Sequence, residues 1–475
     1  MKKCLFFSVL VALLALPWAA QAAAPAATTG GWEFTLGGYI KMETIWDSTQ
    51  VNKNLLGFIA RNNHADFQHG RLKFTAENTR MSFTIKGPKL WGATVTGYIE
   101  WDFDNHANEY IMTGTPGGGW ASPHKARIGL RHAFFRLNWP ETELLLGQYW
   151  SLLTEEVPET ANFGACTTAG QPFLREPQIR LTHMFALGPG KMTASIALAE
   201  PTSGLWGLAL NANQAGTNPY SAESAEIPKI VGRIKYDADL WGKAAFWGAP
   251  RPFSMRVGAT WWQERFRNTP AVTAGRQFGL NNQAAVDNFL ARNYFVTHQQ
   301  YMNHWLVEAS VFIPVIPTTT KNLAGTASIL TQWWIGAGLD GYFEDFPATS
   351  SYLTLDYRYT YLVDACRRDL MRRWGGFVQA QYYFTNEWFM NVVYGMNRAF
   401  GVNLRNWRGD TAANDPVKLN QHVYGTLWYQ PIKALKFGLE YTYVRTQYFQ
   451  KVRVGSVGTD VGENHRVMFC GFFFF

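Results

Sequence analysis

The chain has 475 residues with Lys and Arg at 43 against Asp and Glu at 35, a formal charge of +8, and 47% hydrophobic residues. Nowhere beyond the N-terminal segment do 18 apolar residues run together, and the mean hydropathy is −0.17, which excludes spanning helices. Aromatic residues reach 16%, with 20 Trp, while charged residues are only 16% against a usual level of about 25%; a surface that meets two membrane interfaces fits this better than one that meets water alone.

Met1-Lys2-Lys3, an apolar run from Leu5 to Leu16 and the small residues of Ala20-Gln21-Ala22 form a secretory signal over residues 1–22. Cleavage removes Cys4, which precedes the apolar run and is not placed as a lipoprotein cysteine. Cys166, Cys366 and Cys470 remain, an odd and widely scattered set without metal spacing. A disulfide framework is excluded, and a single Cys166–Cys366 bridge stays open. Residues 23–31 form a short small-residue leader.

From Trp32 a two-residue period begins: Trp32, Phe34, Leu36, Ile40 and Met42 alternate with Glu33, Thr35, Tyr39, Lys41 and Glu43. The pattern returns at 71–86, with a phase slip near Asn78 that reads as a bulge, a turn at Gly87-Pro88-Lys89, and a strand from Ala93 to about Phe103. Strands follow near 127–138 and 143–150, then, after a long loop within the stretch Gln148 to Arg180, near 177–187 and 191–200. The next pair, 227–236 and 252–263, is joined by an irregular link containing Trp241, Trp247 and Pro250. Further strands are read at 299–313, 325–339, 373–384, 388–399, 420–430, 435–449 and 464–475. The count is sixteen, with short turns alternating with long loops and a terminal Phe475 on an amphipathic last strand. That pattern predicts one all-β domain over 32–475, a transmembrane antiparallel β-barrel of the bacterial outer membrane, since an open sheet edge in lipid would leave backbone groups unpaired.

The third long loop is acidic at its start (Glu155, Glu156, Glu159) and basic at its end (Arg175, Arg180). Long loops ordinarily run outside; in a barrel this one is expected to fold into the lumen and narrow it. If apolar positions face lipid, then Lys41, Arg71, Lys73, Arg80, Lys86, Arg136 and Arg180 face the lumen as a basic wall. Glu155, Glu156 and Glu159 would oppose it across a constriction. Arginines are the stronger candidates for holding a solute carboxylate, because the guanidinium fork binds it at two points; each is equally a wall charge paired to a neighbour. The cluster Arg367, Arg368, Arg372 and Arg373 could meet lipopolysaccharide phosphate, a subunit or incoming anions.

Gln148-Tyr149-Trp150-Ser151, Pro158-Glu159-Thr160 and Pro177-Gln178-Ile179-Arg180 resemble the strand 5, loop 3 and strand 6 region of the DcaP-like porins. The strand Gly37–Asp47 and the stretch Arg80-Met81-Ser82-Phe83 are similar to parts of that family too. The resemblance implies a homotrimer of barrels with loop 3 inside each, and passive uptake of small hydrophilic solutes biased to anions such as dicarboxylates. No Gly-x-Ser-x-Gly, His-Glu-x-x-His or phosphate-cradling motif is present; His298 and His304 share a strand parity but stand too far apart for one metal ion. The expectation is a porin that needs no cofactor and is not an enzyme. A rim-located Ser–His lipase and a barrel sheathing a redox partner are the alternatives. Nucleic-acid binding has no support, because the positive charges alternate with apolar residues.

Overall fold

A computed structural model describes residues 31–51, 59–61, 67–104, 128–162, 168–201, 225–267, 299–343, 370–400, 417–448 and 459–475. The signal segment, Cys166, Cys366, His298, Arg367 and Arg368 lie outside these residues.

The described strands are β1 (Glu33–Asp47), β2 (Arg71–Thr75), β3 (Arg80–Leu90), β4 (Ala93–Asp102), β5 (Gly129–Asn138), β6 (Thr142–Trp150), β7 (Arg175–Leu187), β8 (Gly190–Ala199) and β9 (Lys229–Ala238). After them come β10 (Ala244–Phe246), β11 (Ala249–Arg251), β12 (Phe253–Arg267), β13 (Gln299–Ile316), β14 (Ala327–Ala337), β15 (Arg372–Tyr383), β16 (Trp388–Phe400), β17 (Val417–Ile432), β18 (Leu435–Tyr448) and β19 (Val461–Phe474). All but β10 and β11 join one antiparallel sheet that closes where β1 meets β19. β2 and β3 pair with successive halves of β1 and share one position, so the closed ring has sixteen staves. Sixteen strands spaced about 4.8 Å and tilted about 40° give a backbone radius of roughly 16 Å, wide enough for an aqueous interior.

Burial sorts the two faces in the sense opposite to that of a soluble protein. Along β1, Ile40, Met42 and Trp46 are exposed while Lys41, Glu43 and Asp47 are fully buried; along β19, Val467, Phe469 and Phe473 are exposed while Asn464, Arg466 and Met468 are buried. The outward face is therefore an apolar band and the inward face carries the charges, as the sequence period predicted. Trp32, Trp91, Trp241, Tyr382, Trp388 and Phe475 are exposed near the rim that carries the short turns, forming an aromatic belt. The seam is closed by more than backbone. Arg466 donates from Nε and Nη2 to the Asp47 carboxylate at 2.7 and 3.0 Å, and Arg71 donates to the same group at 2.8 Å.

Three expected boundaries move. The turn expected at Gly87-Pro88-Lys89 lies instead at Trp91-Gly92: β3 runs on to Leu90 through a register shift between Lys86 and Lys89, and a proline with no N–H to offer is tolerated at such an irregularity. β17 likewise passes Pro431 with a shift between Tyr429 and Ile432. The irregular link between the strands near 227–236 and 252–263 is a small hairpin, β10–β11, whose tip residues Trp247 and Gly248 both have positive φ (50° and 73°), as in the mirror-image turns that suit hairpins.

Candidate functional site

Segment 151–174 leaves β6 at its long-loop end, and its described parts bond to the 3-10 turn Asp340–Tyr342 that follows β14 and to side chains of the buried, inward parity of distant strands. Ser151 Oγ meets Tyr342 Oη at 3.1 Å, and the Phe173 N–H donates to the Tyr342 carbonyl at 2.7 Å. Gln332 Nε2 on β14 donates to the Leu153 carbonyl at 3.0 Å and to Glu308 Oε2 at 2.7 Å, while Arg256 on β12 pairs with Glu308 on β13 at 3.2 Å. Farther on, the Ala161 N–H donates to Glu440 Oε2 on β18 at 2.6 Å, Lys41 Nζ donates to the Ala161 carbonyl at 2.9 Å, and the Ala169 N–H donates to His422 Nδ1 on β17 at 3.1 Å. Trp334 Nε1 on β14 donates to the Gly170 carbonyl at 2.6 Å.

Room for this backbone is made by glycines on the strands. A Cβ at Gly395 would lie 2.2 Å from Thr168 Oγ1 and 2.3 Å from the Ala169 carbonyl, and one at Gly258 would lie 2.5 Å from Leu153 Cδ2.

Each of the three glutamates in the segment is held by a cation. Glu155 pairs with Arg233 on β9 and with Arg180 on β7, the latter at 3.4 Å. Glu156, 4% exposed, takes the fork of Arg251 at 2.8 and 2.7 Å. Glu159, 1% exposed, accepts from Lys436 Nζ on β18 and from Gln381 Nε2 at 2.7 Å, while its own N–H donates to Gln379 Oε1 at 2.6 Å. Burial alone would raise the Glu155 and Glu156 carboxyls. The charges of Arg233 and Arg180 around Glu155 outweigh it and hold that group below the usual range; the hydrogen bonds and charge of Arg251, then Arg256, bring Glu156 down to about 2. Glu155 and Glu156 are thus held in the charged form at neutral pH, where they tie the segment to the strands.

The remaining expected residues lie on β1–β7. Arg80 and Arg131 share Glu100, at 3.6 and 2.7 Å, and Arg131 also donates to Asp102 at 2.5 Å. Arg136 and Arg180 share Glu143, at 3.4 and 3.7 Å. Arg175 lies over the rings of Trp150 and Phe173, its guanidinium carbon 5.2 and 5.5 Å from their centroids. Lys73 pairs with Glu77 at 3.4 Å, and Lys86 stands beside Glu33 at 2.9 Å at the start of β1, near the short-turn rim and half exposed. Lys41 is buried against Glu43 at 2.5 Å. The geometry thus gathers Arg80, Arg131, Arg136, Arg175 and Arg180 on neighbouring strands, with Tyr39, Tyr98, Tyr149 and Trp150 interleaved.

Sequence reasoning missed Arg131, Arg233, Arg251, Arg256, Glu308 and Lys436. Parity would have found Arg233, which falls on the charged phase of its strand. Arg131 was hidden by the register shift at Glu100/Trp101, which brings it and His132 to the same buried face. His304 on β13 is bonded to Glu264 at 3.1 Å and to the Gly338 carbonyl at 2.7 Å, and no cluster of three or more His, Cys, Asp or Glu residues that could hold a metal ion occurs among the described residues.

No protein-family model and no curated protein sequence matches the chain. Solved structures do. The outer-membrane channel DcaP of Acinetobacter baumannii superposes with a TM-score of 0.60 at 16% identity, covering 95% of this chain and all of that one. An anion-selective porin from Comamonas acidovorans (TM-score 0.49, 10% identity, 94% and 100% covered) and OmpF of Salmonella typhi in complex with daunomycin (TM-score 0.46, 11% identity, 93% and 97% covered) are more distant. The fold is that of an outer-membrane channel barrel.

Proposed function

We propose that the protein is a bacterial outer-membrane porin of the DcaP-like kind, giving passive diffusion to small hydrophilic solutes and favouring anions such as dicarboxylates. The observation that carries the reading is the asymmetric filling of a closed ring. Segment 151–174 is tied by Glu155, Glu156 and Glu159 chiefly to Arg233, Arg251 and Lys436 of the strands beyond β7, with Arg180 of β7 a second partner of Glu155, so its acidic groups are neutralised where they dock. The water path then runs along β3–β7, where Arg80 and Arg131 share one glutamate, Arg136 and Arg180 share another, and Arg175 lies on aromatic faces. With Glu155 and Glu176 also held by Arg233 and Lys229, that wall sets Arg80, Arg131, Arg136, Arg175 and Arg180 against Glu100, Asp102 and Glu143, which leaves it net positive and raises the local concentration of anions. Paired arginines spaced along one wall suit a solute with two carboxylates, each guanidinium offering a planar fork. In this reading segment 151–174 is the constriction, the assembly is a homotrimer in lipid and lipopolysaccharide, and Arg372 and Arg373 at the long-loop end of β15 meet incoming anions.

The test is a planar bilayer under a KCl gradient with the mature protein. Chloride-selective current steps that millimolar succinate blocks are expected. An Arg80→Ala/Arg175→Ala pair is expected to lower the chloride preference and weaken the succinate block. Cation-selective steps in the wild type would overturn the anion bias, and the absence of steps would overturn the porin.

A further inference from the structure

The short-turn rim sends one element inward. Between β9 and β12, where Ala238 and Phe253 already face each other, the chain inserts the β10–β11 hairpin instead of a two-residue turn. Its root is fastened to the neighbouring turn: Lys243 and Thr318 exchange backbone hydrogen bonds at 2.9 and 2.6 Å, and Trp241 Nε1 donates to the Pro314 carbonyl at 2.8 Å. Its body lies on the inner wall. Ala244 is fully buried with Phe312, Leu330 and Phe377 of β13, β14 and β15, Phe246 packs on that cluster, and Ser328 Oγ donates to the Ala245 carbonyl at 3.1 Å. Three large apolar side chains on the inward face of a water-filled barrel would be costly uncovered; the hairpin is what covers them.

Its tip and last strand reach segment 151–174 from below. Trp247 Nε1 donates to the Val157 carbonyl at 3.0 Å, and the Lys436 ammonium that holds Glu159 lies 5.5 Å from the Trp247 ring. Arg251, between the rings of Phe246 and Phe312 at 4.7 Å from each centroid, delivers the fork that grips Glu156. Trp247 adopts φ of +50°, a region unfavourable for a bulky side chain. The surroundings hold it there, 37% exposed beside the segment.

We propose that the β10–β11 hairpin is a second constriction element, entering from the periplasmic rim. It sets the cross-section of the passage jointly with segment 151–174, with Trp247 lining the passage and Arg251 positioning the segment. This rests on the porin reading above. A ring of about 16 Å backbone radius, lined by side chains, leaves roughly 300 Å² of open section, of which a two-stranded ribbon some 10 Å thick occupies on the order of one third.

Two variants test it in single-channel recording. Replacing residues 239–252 with an Asn-Gly turn is expected to raise conductance at least about 1.5-fold, because the freed third is added to a section that segment 151–174 already narrows. Trp247→Cys, treated with a bulky thiol reagent from the short-turn side, is expected to lose current that the treated wild type keeps. Heat-modifiable gel mobility shows which preparations hold folded barrels. Wild-type channels together with unchanged conductance in the shortened variant, or an unblocked Trp247→Cys channel, would overturn the hairpin's role and leave the porin standing. A wild type that forms no channels would overturn both.

Discussion

Glu156→Gln isolates one anchor of segment 151–174, the proposed constriction. The wild-type carboxyl sits at about 2, against an ordinary 4.5, because Arg251 and Arg256 outweigh the cost of its burial. A displacement of that size corresponds to about 3 kcal/mol of docking free energy carried by the charge. It agrees with the roughly 3–5 kcal/mol lost when one member of a buried ion pair is removed. The other anchors, Glu155 with Arg233 and Glu159 with Lys436, keep the segment in place. The expected result is therefore local opening around residues 155–158, not release of the whole segment, with the open population raised on the order of 100-fold. In single-channel records at neutral pH the variant should show frequent brief current fluctuations where the wild type is quiet. The same fluctuations should arise in the wild type on acidification. A carboxyl held below its usual value contributes fully above about 4.5 and loses its contribution as pH falls toward about 2, and Glu155, also held low, adds to that acid limb. A Glu156→Gln channel as quiet as wild type at neutral pH would refute the assignment of Glu156 as an anchor.

Two further outcomes are expected. Gly395→Val places a branched side chain where a Cβ alone would stand 2.3 Å from the Ala169 carbonyl, an overlap with backbone that costs about 1–3 kcal/mol; the barrel should fold, and limited proteolysis should cut within segment 151–174 faster than in the wild type. Arg466→Met removes the two-point grip on Asp47 across the β1–β19 seam and leaves that buried carboxylate to Arg71, so the temperature at which the barrel unfolds on a gel should fall, while Val467→Ile on the lipid face should leave it unchanged.

The sixteen staves and their two faces were legible in the residues because a strand in a barrel wall is a local object. Its period is two, its outer solvent is lipid, and Ile40, Met42 and Trp46 against Lys41, Glu43 and Asp47 display both facts within eight positions. The acidic start of the third long loop was equally visible, and so was the basic phase of the early strands. What the glutamates are for was not. Glu156 finds Arg251 95 residues away and Glu159 finds Lys436 277 residues away, so their role as anchors depends on which strands closure brings opposite each other. The same holds for Gly258 and Gly395, ordinary strand glycines until a foreign backbone lies on them, and for Arg131, whose parity is reversed by a single register shift. The inward hairpin between β9 and β12 read only as an irregular link, because Ala244, Ala245 and Phe246 are apolar for the sake of Phe312, Leu330 and Phe377 on other strands. Periodicity records the solvent on each side of a strand; it carries no information about which distant side chain fills the space on the inner side, because that is decided only when closure brings the strands opposite each other.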